Sequence, residues 1–593
     1  MSHAFATNIR HLSLFGAVLL AFVVLAVRLL FLQVLSRDEL LVYVDQVRDS
    51  VRILHAQRGD ILDSQGNLQA TSQPVYEVGV DPQDLKPMDW DALKQVADLL
   101  DVPGSELVSA FSNTETPSGN KRRWVRLAEA VDRDTFLQIQ RITSRAVYGN
   151  LVHRRHYPGD KAGAHFIGML NKEGIPLAGV EQSFDFFLRG QDGWLETETD
   201  SRRRELAQFR RREVAPQDGL HIELTLNQVI QDMTEHAVAS IVEEMGPDSV
   251  SILVSEVDTG SLLAAAIYPN FDPNEYWEYP VDSHRNRAIA DVFEPGSTFK
   301  VVTAAAALQE GIVIPSDVLK TGDRIVEYMG RRIRMPDEYN GKVFPQLTVR
   351  KTVVKSSNRG SAVLGMMLGE MPMYQYARSF GYGHRTGIAV YGEASGILDH
   401  PDRWDGITIS RLPMGHAIAA TPLQVHTAMG AVANGGVLMR PRIVSRIIDR
   451  DGRTVSRVAP EEVGRAISES TALVVSDMLA EVVSPEGTAR SAQIKGYRAG
   501  GKTGTTEKID PNTKLYLKNA NVASFSGFLP VERPEIVITI VVDNPKKAAS
   551  QTGGFVTGPT FKLLGTQITQ YLGIEPVEQP VFPLALVETG GVQ

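Results

Sequence analysis

Three short segments stand in order along the chain: Ser297-Thr298-Phe299-Lys300, Ser356-Ser357-Asn358 and Lys502-Thr503-Gly504-Thr505. A Ser-x-x-Lys sets a hydroxyl and an amine one helical turn apart on the same face. The amine can then take the proton of a hydroxyl that is a poor nucleophile at its free pKa. Each segment alone is weak, since a chain of this size holds about two or three Ser-x-x-Lys matches by chance. Three in fitting contexts describe a serine built to attack an amide. Pro295-Gly296 opens a helix with Ser297 in its first turn, where backbone N–H groups can stabilise an oxyanion. Lys300 accepts the Ser297 proton if its pKa falls, and Lys502 is expected to push it that way. Ser356 can relay the proton to the leaving amine, and Asn358 can hydrogen-bond the substrate backbone. Lys502 to Thr506 reads as an edge strand offering a cation and hydroxyls to a carboxylate, with Gly504 leaving room for close approach.

A rival pattern overlaps the third segment. Gly496-Tyr497-Arg498-Ala499-Gly500-Gly501-Lys502-Thr503 satisfies the phosphate-loop pattern G-x-x-x-x-G-K-[ST]. That loop needs a buried apolar strand before it and a helix starting at the lysine. Ser491 to Lys495 makes a poor buried strand, and Gly504-Thr505-Thr506 with Pro511 makes a poor helix. His384, His416 and His426 lack tight ligand spacing, so no metal site and no cofactor are expected.

The elements around these segments set the scale. The chain has 593 residues, enough for two or three domains, with 43% hydrophobic and 22% charged content. A net charge of -9 argues against a nucleic-acid partner. There is no cysteine, so neither disulfides nor thiolate metal sites can form. Leu12 to Val27 is uncharged and mostly apolar, extended past Arg28 by Leu29-Leu30-Phe31-Leu32. At ~1.5 Å per residue, Leu12 to Leu32 is about 30 Å of helix, enough to cross a membrane. No small-x-small cleavage site follows, so the segment reads as a retained anchor. Arg10 precedes the run and the large soluble part follows it, which puts the N-terminus in the cytoplasm and the bulk outside. Arg28 either snorkels to the outer interface or meets a polar group on a membrane partner.

Beyond the anchor, Asp38 to Leu54 reads as a helix or stalk, and Arg58 to Asn67 as strand, turn, strand. Pro87 to Ile142 has helical spacing, and Arg202 to Arg212 is a charged connector. Near Gly219 the composition changes. His221 to Leu226 alternates like a strand, Asn227 caps a helix through Ile241, and Ser251 to Val257 and Leu262 to Ile267 form a hairpin. Ser297 to Gly435 is mainly helical; Asn521 to Phe528 and Ile536 to Val542 return to strand; Thr560 to Leu572 is the last helix. The order predicts an α+β fold with helices on an antiparallel sheet. The expected divisions are an anchor over 1–36, a non-catalytic pedestal over 37–218, a catalytic domain over 219–574 and a Pro-rich tail over 575–593.

The sequence resembles the class B penicillin-binding proteins over almost its whole length. Glu294 to Lys300 looks like the family's active-site segment, Ser356-Ser357-Asn358 its second motif and Lys502 to Thr505 its third. Arg58-Gly59 with Asp63 and Gly66, His156-Tyr157-Pro158 and Gly179-Val180-Glu181-Gln182 are similar to the family's pedestal. Ala420 to Gln424, Ala433 to Gly436, and Gly553-Gly554 with Pro559 and Phe561 fit the remainder. Asn227, Asp60 and Met414-Gly415-His416 depart from the common pattern.

The resemblance implies a penicilloyl-serine transferase fold: an antiparallel sheet with helices on both sides and a helical subdomain, behind a mixed α/β pedestal. It implies D,D-transpeptidation of peptidoglycan stem peptides through an acyl-enzyme on Ser297, with β-lactams as inhibitors. Ser297, Lys300, Ser356 and Lys502 would be catalytic; Asn358, Thr503, Gly504 and Thr505 would bind substrate. The backbone N–H groups of Ser297 and Thr505 would form the oxyanion hole. A polytopic membrane glycosyltransferase would be the partner, and length without C-terminal repeats favours the septal type over the elongation type. A carboxypeptidase or β-lactamase-like hydrolase is the alternative chemistry.

Overall fold

A computed structural model describes residues 2–38, 49–86, 89–112, 115–116, 119, 121–122, 124–143, 147–198, 208, 210–510, 513 and 515–576. The chain divides into two compact units, Met1–Gln57 with Arg189–Gly219, and Arg58–Leu188 with Leu220–Gln593. Residues 39–48 of the expected stalk, 202–207 and 209 of the charged connector and 577–593 of the tail lie outside the described residues.

In the first unit, the helix Ser2–Leu30 runs on as a π-helical turn, Phe31–Leu35. Its stretch His11–Leu35 spans 25 residues with mean hydropathy 2.7 and no buried side chain. A helix apolar on every side has no aqueous face and suits a lipid environment. It is the one helix among the described residues long and apolar enough to cross a membrane. Arg28 lies 5.7 Å from the Phe31 ring centroid. The unit also holds an antiparallel sheet of Asp49–Leu54, Gly193–Glu198 and Arg212–Val214. Residues 49–54 are therefore strand rather than helix.

The second unit contains two larger sheets. In the first, Ile61–Leu62 pairs in parallel with His221–Leu224, and Leu68–Val80, Val125–Val131 and Val147–His156 complete one flank. Strands from both sides of residue 219 thus share one sheet. Val125–Val131 corrects the helical reading of 87–142: it is a strand, paired antiparallel with Leu68–Val80. The residues quoted as separate pedestal motifs converge. Glu181, fully buried, accepts from Arg58 Nε at 2.7 Å and Arg155 Nε at 2.6 Å. Asp63 accepts the N–H groups of Gln65 and Asn67, each at 2.8 Å, and closes the turn at Gly66, where φ is +87°.

The second sheet is antiparallel, ordered Leu262–Tyr268, Ser249–Glu256, Ile536–Asp543, Tyr516–Leu529, Gly500–Ile509. Helices cover both faces. His426, from the helix Pro422–Ala433, meets Ser255 Oγ at 2.7 Å and Thr539 Oγ1 at 2.9 Å. Phe561, from Gly558–Leu572, stacks edge-on against Phe525 with centroids 4.6 Å apart. Phe525 neighbours Ser526, which pairs with Thr539, so the two helices lie on opposite faces. Asn227 caps the helix Gln228–Met245 as read from sequence, accepting from the N–H groups of Val229 and Ile230. The block after Ser297 is helical but also carries a hairpin, Ile325–Tyr328 with Arg331–Arg334, and the pair Val318–Lys320 with Gln346–Thr348.

Candidate active site

Ser297 sits in a 3-10 turn, Gly296–Thr298, that feeds the α-helix Lys300–Gln309. Gly296 has φ of +52°, and a Cβ there would lie 2.3 Å from Thr506 Cγ2. Its N–H donates to the Gly415 carbonyl at 3.0 Å, and a Cβ on Gly415 would fall 2.0 Å from the Gly296 oxygen. Two glycines therefore let a distant loop press against the residue before Ser297. Every residue of the helix from Lys300 to Ala307 is buried. Its four consecutive alanines leave no polar face, so the helix runs through the core and carries Lys300 inside with it.

Lys300 is 1% exposed. Its Nζ donates to the Ser356 carbonyl at 2.7 Å and Asn358 Oδ1 at 2.6 Å, with Ser356 Oγ at 3.3 Å. Burial lowers its pKa to about 7, against the opposing charge of Glu338. A neutral amine has two donors and one lone pair. With both donors on the carbonyl-type oxygens, the lone pair is left for a hydroxyl proton.

The second segment follows the helix Val349–Val354. Ser356 takes φ of +57°, and Ser357 then caps the helix Asn358–Leu368 by accepting from the Gly360 N–H. A non-glycine residue held in the left-handed region carries backbone strain, which surrounding contacts must sustain. Those contacts come from Glu338, a buried carboxylate that sequence reading missed. It accepts from Ser357 Oγ at 2.5 Å, Asn358 N at 2.9 Å and Arg359 N at 3.1 Å. A carboxylate at a helix N-terminus satisfies unpaired donors and meets the positive end of the helix dipole. Nothing local marks Glu338, which lies 19 residues before Ser357. The Asn358 amide is engaged at both ends, Oδ1 with Lys300 and Nδ2 with the Asp337 carbonyl at 2.8 Å.

Lys502 lies on the edge strand Gly500–Ile509, fully buried. Its Nζ donates to Ser356 Oγ at 2.8 Å and the Thr503 carbonyl at 3.1 Å. Burial, then the Lys300 charge, lowers its pKa well below that of a free lysine. At Lys300 the first cause is burial, not the Lys502 charge invoked from sequence. The strand alternates, so Thr503 and Thr505 point to the opposite face. Thr503 Oγ1 lies 3.1 Å from Thr488 Oγ1, and Thr505 Oγ1 accepts the Gly553 N–H at 2.9 Å. Gly504 leaves room for the turn that holds Ser297: a Cβ would lie 3.1 Å from the Pro295 oxygen and 2.3 Å from Ser524 Oγ. The phosphate-loop reading of Gly496–Thr503 falls here, because Lys502 and Thr503 lie within an antiparallel strand and begin no helix. Among the described residues no group of three or more His, Asp or Glu could hold a metal ion.

Comparison with known proteins places two modules along the chain. Residues 250–564 match the penicillin binding protein transpeptidase domain, and residues 53–224 the penicillin-binding protein dimerisation domain. Stage V sporulation protein D of Bacillus subtilis is 30% identical over 95% of this chain and 85% of its own length. Peptidoglycan D,D-transpeptidase FtsI of Escherichia coli is 29% identical over 97% of this chain and 94% of its own. The crystal structure of penicillin binding protein 3 from Mycobacterium tuberculosis with ampicillin superposes with a TM-score of 0.68 at 26% identity, covering 90% of this chain and 99% of that one. A buried two-lysine site around Ser356, built on a matching transpeptidase module and preceded by a matching dimerisation module, makes this chain a transpeptidase of the class B penicillin-binding proteins.

Proposed function

We propose that the chain is a peptidoglycan D,D-transpeptidase in which Ser297 is the nucleophile. The observation that carries this reading is the Ser356 hydroxyl, 2.8 Å from Lys502 Nζ and 3.3 Å from Lys300 Nζ, with Lys300 opening the helix that follows the Ser297 turn. Ser297 Oγ attacks the penultimate carbonyl of a D-Ala-D-Ala stem peptide as its proton passes to Lys300. The tetrahedral oxyanion is held by the backbone N–H groups of Ser297 and Thr505. The C–N bond then breaks, and the departing amine takes a proton delivered through Ser356. An acceptor amine reverses the sequence and releases the cross-linked product. The Thr503 and Thr505 hydroxyls hold the terminal carboxylate, while Lys502, on the other face of the strand, acts through Ser356. Thr505 Oγ1 accepts from Gly553, so its own proton stays free to donate. Gly504 keeps the strand close to the turn, and Asn358 positions Lys300 and offers its second N–H to the substrate backbone. A β-lactam acylates Ser297 and stalls there.

Full-length protein in detergent should bind a fluorescent penicillin covalently, and Ser297→Ala should not while keeping the same melting temperature. Retained labelling of that variant would overturn the assignment. Release of cross-linked product with an acceptor amine present separates transfer from hydrolysis. The domain limits of the sequence reading, 1–36, 37–218, 219–574 and 575–593, enter the same proposal. So does an inward N-terminus, which one cysteine placed in this cysteine-free chain tests with an impermeant maleimide. The likeness to penicillin binding protein 3 supports the septal type, with a polytopic glycosyltransferase met by the anchor and pedestal. Filamentation on depletion, and co-purification lost on exchanging the helix Ser2–Leu30, are the expected results.

A further inference from the structure

Arg411 ends the short helix Thr408–Arg411, just before the loop that presses Gly415 against Gly296. It is half-buried, yet its hydrogen bonds are long: Nη1 to Ser410 Oγ at 3.4 Å and Nη2 to the Arg334 carbonyl at 3.3 Å. Two carboxylates act on it electrostatically, and both are engaged elsewhere. Asp337 pairs with Arg334 Nη2 at 3.5 Å. Asp405 Oδ1 accepts from Thr408 N at 2.8 Å and Thr408 Oγ1 at 2.5 Å. Among the described residues, no carboxylate pairs with Arg411. Burial lowers its pKa, and the Arg334 charge adds to that. A partly desolvated guanidinium beside a second one, with most of its five donors unused, is costly to keep unless something completes it.

Its position says what that is. The Arg411 carbonyl accepts the His416 N–H at 3.2 Å, and the Asp337 carbonyl accepts from Asn358 Nδ2 at 2.8 Å. The Arg411 charge also acts on Tyr516, whose hydroxyl donates to Glu294 Oε2 at 3.0 Å. Tyr516 is the register partner of Ile509, at the end of the edge strand that carries Lys502, Thr503 and Thr505. A peptide laid along that edge with its terminal carboxylate at Thr503 and its scissile carbonyl at Thr505 runs its upstream residues toward Ile509. From Thr505 to Ile509 the strand rises about 13 Å, three to four extended residues. Arg411 stands beside that end.

We propose that Arg411, with Arg334 beside it, binds a side-chain carboxylate of the stem peptide upstream of its D-Ala-D-Ala end and so selects acidic stem peptides over amidated ones. The assignment rests on the acyl-transfer reading above. Guanidinium presents a planar pair of donors that matches a carboxylate in two-point contact.

The test uses the full chain in detergent and two peptides ending in D-Ala-D-Ala, identical except that the residue three positions before the penultimate D-Ala carries a carboxylate in one and a primary amide in the other. Release of D-Ala gives kcat/KM for each. The intact protein should prefer the carboxylate peptide about tenfold, mainly through KM, with the preference shrinking as salt rises. Arg411→Gln should bring the ratio to about one, and Arg411→Lys should restore part of it. Arg334→Gln, altering a side chain 77% exposed, should lower the ratio about threefold without threatening the fold. Because the readout is a ratio within one preparation, a loss of folded protein does not move it. A ratio of one in the intact protein, or a tenfold ratio surviving in Arg411→Gln, would overturn the assignment. If neither peptide is turned over and no penicillin is bound, the enzymatic reading fails and this one with it.

Discussion

Lys300 and Lys502, 202 positions apart in sequence, bring their ammonium nitrogens to one hydroxyl, Ser356 Oγ, at 3.3 and 2.8 Å. Burial lowers the pKa of both, and the Lys300 charge lowers that of Lys502 further. The site is thereby disposed to hold a neutral amine at neutral pH.

Acylation should follow the ionisation of Lys300. Its neutral form is the base and its pKa is about 7, so the penicillin acylation rate should rise with pH through about 7 and level above it. Stopped-flow labelling from pH 5.5 to 9 checks this; a flat profile would remove Lys300 as the base. The same shift has a stability sign. Between about 7 and the free-lysine value of 10.5, the unfolded chain binds the extra proton, so stability gains with pH across that window. Lys300→Met should abolish acylation and flatten that part of the melting-temperature profile.

Glu338→Ala leaves Ser357 Oγ, Asn358 N and Arg359 N without their acceptor inside the protein. A loss of about 2–4 kcal/mol in urea unfolding is expected, since buried donors keep their desolvation cost. Acylation should fall by about a hundredfold as Ser356 and Asn358 shift. Equal acylation rates in variant and parent would show that Glu338 serves stability alone.

Gly415→Ala places a methyl 2.0 Å from the Gly296 carbonyl oxygen, at a backbone φ of +86°. Gly392→Ala meets the same kind of strain, φ of +92°, with no atom within 4 Å. The second substitution should cost about 1 kcal/mol and spare acylation. The first should cost more and slow acylation at least tenfold, because backbone against backbone cannot give way without moving the turn. Comparing the two separates conformational strain from the clash.

Glu181→Gln strips the charge from a fully buried carboxylate between Arg58 and Arg155. Removing one member of such a cluster typically costs about 3–5 kcal/mol. The melting temperature should drop, while protein held in the cold should still bind penicillin, since the cluster lies outside the site. Loss of binding in folded, cold protein would place Glu181 in the path to Ser297.

Much of this site was legible in the chain. Ser297, Lys300, Ser356 and Lys502 are close-range patterns whose spacing states a helical turn, a cap or a strand, and the apolar run to Leu35 states its own length. Val125–Val131 was misread as helix because apolar residues also recurred at three and four positions, and neighbouring strands decided for the sheet.

What the sequence determined by itself is the inventory: a serine one helical turn before a lysine, a second lysine, hydroxyls at an edge strand, an apolar N-terminal helix. Each is encoded by residues a few positions apart, where backbone geometry alone sets distance. What only the tertiary structure decided is which groups share atoms. It gave Ser356 both lysines, gave Ser357 and Asn358 the Glu338 carboxylate, turned Gly504 toward Pro295, and paired Arg411 with no carboxylate among the described residues. Those outcomes depend on burial and on contacts between segments tens to hundreds of residues apart. Burial is also what lowers Lys300 to about 7, and no local pattern states how deep a side chain will lie.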